Sequence, residues 1–138
     1  CGTGYGRMDA SRNNFISRVD KLGNPDIIFV FGGTNDMRDD APMGDYVYDD
    51  WTEEELCTFR PALACLFEGL KQHYPDAKLW FLADSALGEE FMESVHVIAE
   101  HYQVSCIDLH DIETYWKHPT AKGMETIANQ TLEALKQD

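Results

Sequence analysis

Apolar positions recur along the chain at two alternating spacings. Behind Ser11, a helix cap, Phe15, Ile16, Val19 and Leu22 fall at helical spacing, and Gly23-Asn24-Pro25 stops the run. Ile27–Phe31 is then apolar at every position, as in a central parallel strand covered on both faces, and Gly32-Gly33 ends it. Residues 34–50 carry no periodicity and read as a long loop. Thr52-Glu53-Glu54-Glu55 forms a capping box, behind which Leu56, Phe59, Leu63, Leu66, Phe67, Leu70 and Tyr74 make a helical stripe. Pro61 interrupts that stripe and predicts a kink or a late start. Residues 79–83 and 104–109 read as two further strands. Between them Phe91, Met92, Val95, Ile98, Ala99 and Tyr102 share one helix face. A last helix after His118-Pro119 is predicted to bury Met124, Ile127, Ala128, Leu132 and Leu135. Helices alternating with strands predict an α/β domain with a parallel sheet and right-handed crossovers.

Length and composition narrow this picture. A chain of 138 residues, 43% of them apolar, makes one packed domain. No apolar run approaches the roughly 20 residues of a membrane span. A formal net charge of -14 excludes phosphate-based nucleic-acid binding, which needs clustered Lys and Arg, and argues against anionic membranes.

Cys1, Cys57, Cys65 and Cys106 form no C-x-x-C pair, and no Cys/His spacing suits zinc. Cys57 and Cys65 lie on one predicted helix about 12 Å apart, too far for a disulfide. Cys65 and Cys106 read as buried small apolar residues, and Cys1 is placed to pair with something upstream. The loop at 34–50 holds six aspartates, but the register from Asp36 puts Arg38 and Ala41 where an EF-hand needs an acid and a glycine. It reads as a solvated acidic loop, and neither metal nor cofactor is expected.

Open α/β sheets bind ligands at the carboxyl ends of their strands. Those ends carry Gly32-Gly33-Thr34-Asn35-Asp36, Asp84-Ser85 and His110-Asp111, and His118-Pro119 stands at the mouth of the last helix. Alone, Asn35 is an ordinary turn residue and His118 a surface histidine beside a helix-starting proline. Gly32-Gly33-Thr34 is neither a Walker nor a G-x-G-x-x-G motif, which argues against a flavin or nucleotide site.

Taken together, Gly33-Thr34-Asn35-Asp36 after a strand, and His118-Pro119 followed by Gly123, resemble the third and fifth blocks of the SGNH (GDSL-like) hydrolase superfamily. The wider wording from Asn24 to Asp36 and from His118 to Met124 is similar to its Bacteroides-type branch, and the resemblance covers essentially the whole chain. It implies a three-layer α/β/α flavodoxin-like fold, strand order two-one-three-four-five, and a serine esterase or acyl hydrolase. The substrate is expected to be a small-molecule or carbohydrate ester with a small acyl group. By this resemblance His118 is the general base, Asn35 an oxyanion donor alongside two backbone N–H groups, and Asp36 holds the turn that aims Asn35, with Gly33 in the same block.

The sequence departs from the family at three places. No Ser lies in a G-D-S or G-x-S-x-G setting; of Ser11, Ser17, Ser85, Ser94 and Ser105, only Ser85 falls at a strand end on the correct side of the sheet. The second-block glycine cannot be assigned to Gly2, Gly4 or Gly6. The acid three residues before the histidine is replaced by Tyr115, which leaves a Ser-His dyad, with Asp111 and Glu113 nearby in sequence. If Ile27–Phe31 is the family's third strand, its edge is bare without the strand that carries the serine. The expectation is therefore the C-terminal part of one hydrolase domain, 1–138, with the leading strand or strands and the nucleophile upstream. Family resemblance favours a periplasmic or secreted protein. The alternative is an inactive module that binds a glycan or a protein through Tyr115 and Trp116.

Overall fold

The structure is a computed structural model that describes residues 14–138. Ser11 and the first-segment residues Cys1, Gly2, Gly4 and Gly6 lie outside the described residues. The chain enters through a 3-10 helix, Ile16–Lys21, rather than an α-helix. Asn14 starts it: its side-chain oxygen accepts the Ser17 N–H at 2.9 Å. Val19 is buried against the sheet's helical layer, while Leu22 is exposed.

Three strands form the sheet: β1 (Ile27–Phe31), β2 (Lys78–Asp84) and β3 (Ser105–Leu109). All are parallel, in the order β1-β2-β3, with Ile27 opposite Lys78 and Trp80 opposite Ser105. Two long helices, α2 (Phe59–His73) and α3 (Glu89–Tyr102), cover one face, and α4 (Ala121–Gln137) covers the other. This is the expected α/β/α arrangement. The larger core lies between the sheet and the α2–α3 layer, built on Phe59, Phe67, Phe81 and Phe91. The smaller one joins Trp80, Leu82, Ile107 and Leu109 to Ile127 of α4.

One expectation is met on the α4 side and one fails. Among the described residues β1 is an edge strand, as expected of a third strand without its neighbour, and is not covered on both faces: Ile28 and Val30 are buried, but Ile27 and Phe29 are exposed. By contrast α4, expected to bury Met124, Ala128 and Leu132, leaves all three exposed and turns Gly123 and Ile127 inward. The helix is apolar on two faces and the described sheet fills only one. Ile27 and Phe29 belong to the sheet face that carries Trp80 and Leu82, so the exposed side chains of β1 flank the layer that α4 begins.

The acidic segment is partly structured as well. Its first residues form a short helix, α1 (Thr34–Arg38), where a loop was expected. The capping box is present, with the Glu55 N–H donating to Thr52 Oγ1 at 3.2 Å and the Thr52 N–H to Glu55 Oε2 at 2.8 Å. It caps only the 3-10 turn Glu55–Cys57. The long helix starts late, at Phe59, placing Pro61 in the first turn, where a missing N–H costs nothing. Cys57 and Cys65 therefore sit on different elements, and both are free thiols. The carbonyls of Pro42 and Met43 accept the Phe59 and Arg60 N–H groups at 2.8 Å each, satisfying donors that a helix start leaves open. Arg60 ties the loop down: its Nε donates to the buried Ser94 hydroxyl (2.9 Å), its Nη1 to the Gly44 carbonyl (3.1 Å), and its guanidinium lies 4.5 Å from the Tyr46 ring. Tyr48 stacks on His101 with ring centroids 3.7 Å apart.

Candidate active site

At the carboxyl ends of the strands lies a cavity of about 240 Å³. Gly33, Thr34 and Asn35 line one part of it, Asp84 another, and Thr114, Lys117 and His118 a third. Residues far apart in sequence are thus brought to one opening by the sheet.

The Asn35 side is built by a change of direction. Gly33 has φ +101°, in the left-handed region that glycine enters without strain, and its carbonyl accepts the Met37 N–H at 2.9 Å. A side chain there would land on the Phe91 ring, 2.8 Å from Cζ. The chain can therefore turn from β1 into α1 directly over Phe91. Asn35 falls in the first turn, half-buried at the cavity wall. Asp36, 3% exposed, lies beneath, and its carbonyl accepts the Ala41 N–H at 2.9 Å.

The His118 side is a small β-hairpin, β4 (Thr114–Tyr115) and β5 (His118–Pro119), with Tyr115 opposite His118. Trp116 and Lys117 form its two-residue loop with φ of +50° and +63°, both positive as a type I′ turn requires. Asn-Gly or Asp-Gly normally signals such a turn, so this one is invisible to sequence rules. A Trp and a Lys there hold a strained backbone, costing about 1–3 kcal/mol each. The tip leaves Tyr115 and Trp116 strongly exposed, 73% and 81%, with their rings at 75° to one another.

Contacts on both sides brace the hairpin. The Glu113 carbonyl accepts the Thr120 N–H at 3.0 Å, and the Thr120 hydroxyl donates to Glu113 Oε1 at 2.7 Å. The same hydroxyl oxygen caps α4 by accepting the Gly123 N–H at 3.1 Å. Gly123 packs so closely on the Glu113 carbonyl that no side chain fits between them. From α4, Gln130 grips His110 through both backbone groups, accepting its N–H at 3.1 Å and donating to its carbonyl at 2.8 Å. The end of β3 and the hairpin are thus fixed to one helix.

Of the acids near His118 in sequence, Glu113 is bonded to Thr120 and lies 3.9 Å from the Lys122 ammonium, while Asp111 pairs with His110 at 2.9 Å. Among the described residues the one carboxylate lining the cavity is Asp84, which sequence reasoning places at a strand end without a role. Its Oδ1 accepts the Ala86 N–H at 3.0 Å. Ser85, the residue after it, is exposed and does not line the cavity. Nor do the described thiols: Cys106 lies on β3, where burial, then the nearby Asp108 carboxylate, pushes its pKa up to about 12.

Comparison with known proteins agrees with this architecture. The family model for GDSL-like lipase/acylhydrolase matches residues 1–135. A candidate GDSL-like lipase from Bacteroides ovatus is 49% identical, with a TM-score of 0.91 over 100% of this chain and 67% of that one. One from Bacteroides uniformis is 46% identical, also at 0.91, over 100% of this chain and 65% of that one. The chain thus spans about two thirds of the length of either structure. No curated protein matches. With its parallel sheet, its helix layers and these relatives, the chain has the SGNH fold and belongs to the GDSL-like lipase/acylhydrolase family.

Proposed function

We propose that this chain supplies the base and one oxyanion donor of a serine esterase that removes a small acyl group. The observation that carries the reading is the convergence of Asn35 and His118 on one cavity at the carboxyl ends of the strands.

In the proposed reaction a serine hydroxyl attacks the acyl carbon while His118 takes its proton. The carbonyl oxygen becomes an oxyanion and accepts a hydrogen bond from the Asn35 side-chain N–H. An amide suits this task because it donates at any pH. Collapse expels the alcohol, which leaves with the proton held on His118. Water then attacks the acyl-serine, with His118 again as base. Asp36 holds α1 from below, so that Asn35 keeps its aim, and Gly33 permits the turn. His118 works as a dyad with the serine.

The nucleophile is assigned to a segment upstream of Cys1. Exposed Ile27 and Phe29 on the β1 edge and exposed Met124 and Leu132 on α4 support this, since an added strand and helix would cover them. An apolar groove of about 430 Å³ runs beside β1, lined by Ile28, Val30, Leu66 and Leu70 among others. In protein that includes the upstream segment, His118→Ala should abolish hydrolysis of 4-nitrophenyl acetate. Asn35→Ala should lower kcat by about 10²–10³-fold. Wild-type rates in both variants would sink the assignment.

A second reading, a glycan-binding module without catalysis, is favoured by the exposed Tyr115–Trp116 pair beside His118. A fluorophosphonate probe separates the two. Labelled serine supports the esterase; no labelling together with glycan binding supports the module.

A further inference from the structure

The acidic segment 39–51 leads from α1 toward α2 and lies as a strap against α3. Its charge opposes that position. The strap carries Asp39, Asp40, Asp45, Asp49 and Asp50; α3 carries Glu89, Glu90, Glu93 and Glu100; and neither holds a Lys or Arg. Like charges on packed segments repel.

Two side chains outside the strap hold it down. Arg60 of α2, a permanent cation, joins Gly44 and Tyr46 on the strap to Ser94 and Glu90 on α3. Further along, Tyr48 lies face to face on His101, the ring centroids 3.7 Å apart and the planes 8° from parallel. The Tyr102 hydroxyl donates to the Tyr48 carbonyl at 3.4 Å, and its ring meets Tyr48 edge-on.

Only one member of this second tie changes charge near neutral pH. Burial, above all, raises the pKa of Tyr48, Tyr102 and Cys65 behind them, so all three stay neutral between pH 5 and 8. A histidine ring gains its charge in that range. An imidazolium at His101 is drawn to the π electrons of the phenol stacked on it. It also sets a positive charge between two acidic segments. The fixed charges about it are Asp49 and Asp50 beside Tyr48, Glu100 on α3 itself, and Glu68 of α2 beside Tyr102. Against these stands Lys71 of α2, whose ammonium donates to the Gln103 carbonyl at 3.2 Å. His96, the other histidine of α3, is turned to β3 and held there by Asp108 at 2.9 Å.

We propose that His101 is a pH-responsive latch: once protonated, its ring holds Tyr48, and with it the strap 39–51, more tightly against α3. The latch is independent of the esterase reading. It acts on the segment that continues α1, where the Asp36 carbonyl accepts the Ala41 N–H at 2.9 Å.

The strap carries its own reporter. The Trp51 indole N–H donates to the Val47 carbonyl at 2.7 Å, so it exchanges with solvent when the strap around Tyr48 lifts. The exposed Trp116 indole is the reference, because both indoles share one intrinsic dependence on pH and their ratio removes it. Indole hydrogen exchange is followed by NMR at pH 8 and pH 5.5, on protein that includes the upstream segment. The Trp51/Trp116 rate ratio in the wild type should fall about 2–5-fold from pH 8 to pH 5.5. His101→Phe keeps a ring for Tyr48 but no charge, and its ratio should be the same at both pH values. His101→Arg carries a charge at both and should hold the low ratio throughout. His96 and Asp108 remain in both variants, so they cannot produce the difference. A flat ratio in the wild type, or an equal fall in either variant, overturns the proposal.

Discussion

Gly123→Ala is the most informative single perturbation of the site, because it reaches His118 through backbone alone. In an exposed helix, alanine in place of glycine stabilises by about 0.8–1 kcal/mol. At Gly123 the added carbon would fall well inside contact distance of the Glu113 carbonyl oxygen, and 3.2 Å from the Glu113 carbonyl carbon and from Ile112 Cγ2. Restoring an ordinary C···O separation of about 3.3 Å requires an opening of about 1 Å between α4 and the segment leading to the hairpin. That opening strains the Thr120 N–H bond to Glu113, worth about 0.5–1.5 kcal/mol. Overpacking against backbone adds about 1–3 kcal/mol. Set against the propensity gain, the net destabilisation is about 1–3 kcal/mol, or a fall in Tm of roughly 3–15 °C. Gly69→Ala is the control. It too lies in a helix, but its added carbon would meet only a Val19 methyl, 3.2 Å away, which can shift. Gly69→Ala should therefore leave Tm unchanged or raise it. Thermal melts of both variants and an amide NMR spectrum of the hairpin make the comparison. With the upstream segment present, a hairpin displaced by about 1 Å should cost about 10²-fold in kcat. Equal melting of the two variants, with the Thr114 and Thr120 amides unmoved in Gly123→Ala, would refute the reasoning.

Gly33→Ala combines a left-handed φ with a clash on the Phe91 ring and should cost about 2–4 kcal/mol. Adding Phe91→Leu should recover at least about 1 kcal/mol of that in a double-mutant cycle, and strict additivity would rule out the contact as the cause. Arg60→Ala removes charge-assisted hydrogen bonds to Ser94 and Gly44, a loss of about 1.5–3 kcal/mol; limited proteolysis should then cut between Asp39 and Trp51, where the wild-type loop resists. Burial raises the Cys106 thiol from its ordinary 9.0 to about 12, so the folded state keeps a proton that the unfolded chain releases. That contribution is intact below pH about 9 and is lost as pH rises from there toward 12, so denaturant midpoints should decline across that window and Cys106→Ala should flatten the decline.

Much of this fold is legible in the sequence for a simple reason. Strands buried by helices are short continuous apolar runs, and Leu79–Ala83, buried at all five positions, is one. The Thr52–Glu55 box was equally readable, because it is a local exchange of two hydrogen bonds. What escaped reading depends on distant partners. Residues 34–38 look like turn formers; they become helical because Gly33 can bend the chain across Phe91, which lies on another element. The hairpin at 114–119 has none of the usual turn residues and is held by Glu113, Thr120 and Gly123 instead. The buried face of α4 was misjudged because the helix has two apolar stripes, and periodicity alone cannot say which one meets the sheet. For the site, Gly33-Thr34-Asn35-Asp36 and His118-Pro119 were visible as motifs. Asp84 is legible only as a strand-end residue, and Lys117 not at all, since only the fold brings the end of β2 and the hairpin to one cavity.

The parallel register also sets an order of assembly. Trp80 pairs with Ser105, whereas Ile27 pairs with Lys78, so joining β2 to β3 closes a loop about half as long as joining β1 to β2. Each doubling of loop length adds about 0.6 kcal/mol of closure entropy. The β2–α3–β3 unit is therefore expected to form first, and β1, with Asn35 behind it, to dock later. Folding kinetics of Val30→Ala and Ile107→Val would show this as a low φ-value for the first and a higher one for the second. Because the cavity lies between early and late parts of the fold, it comes into being only at the final step of folding.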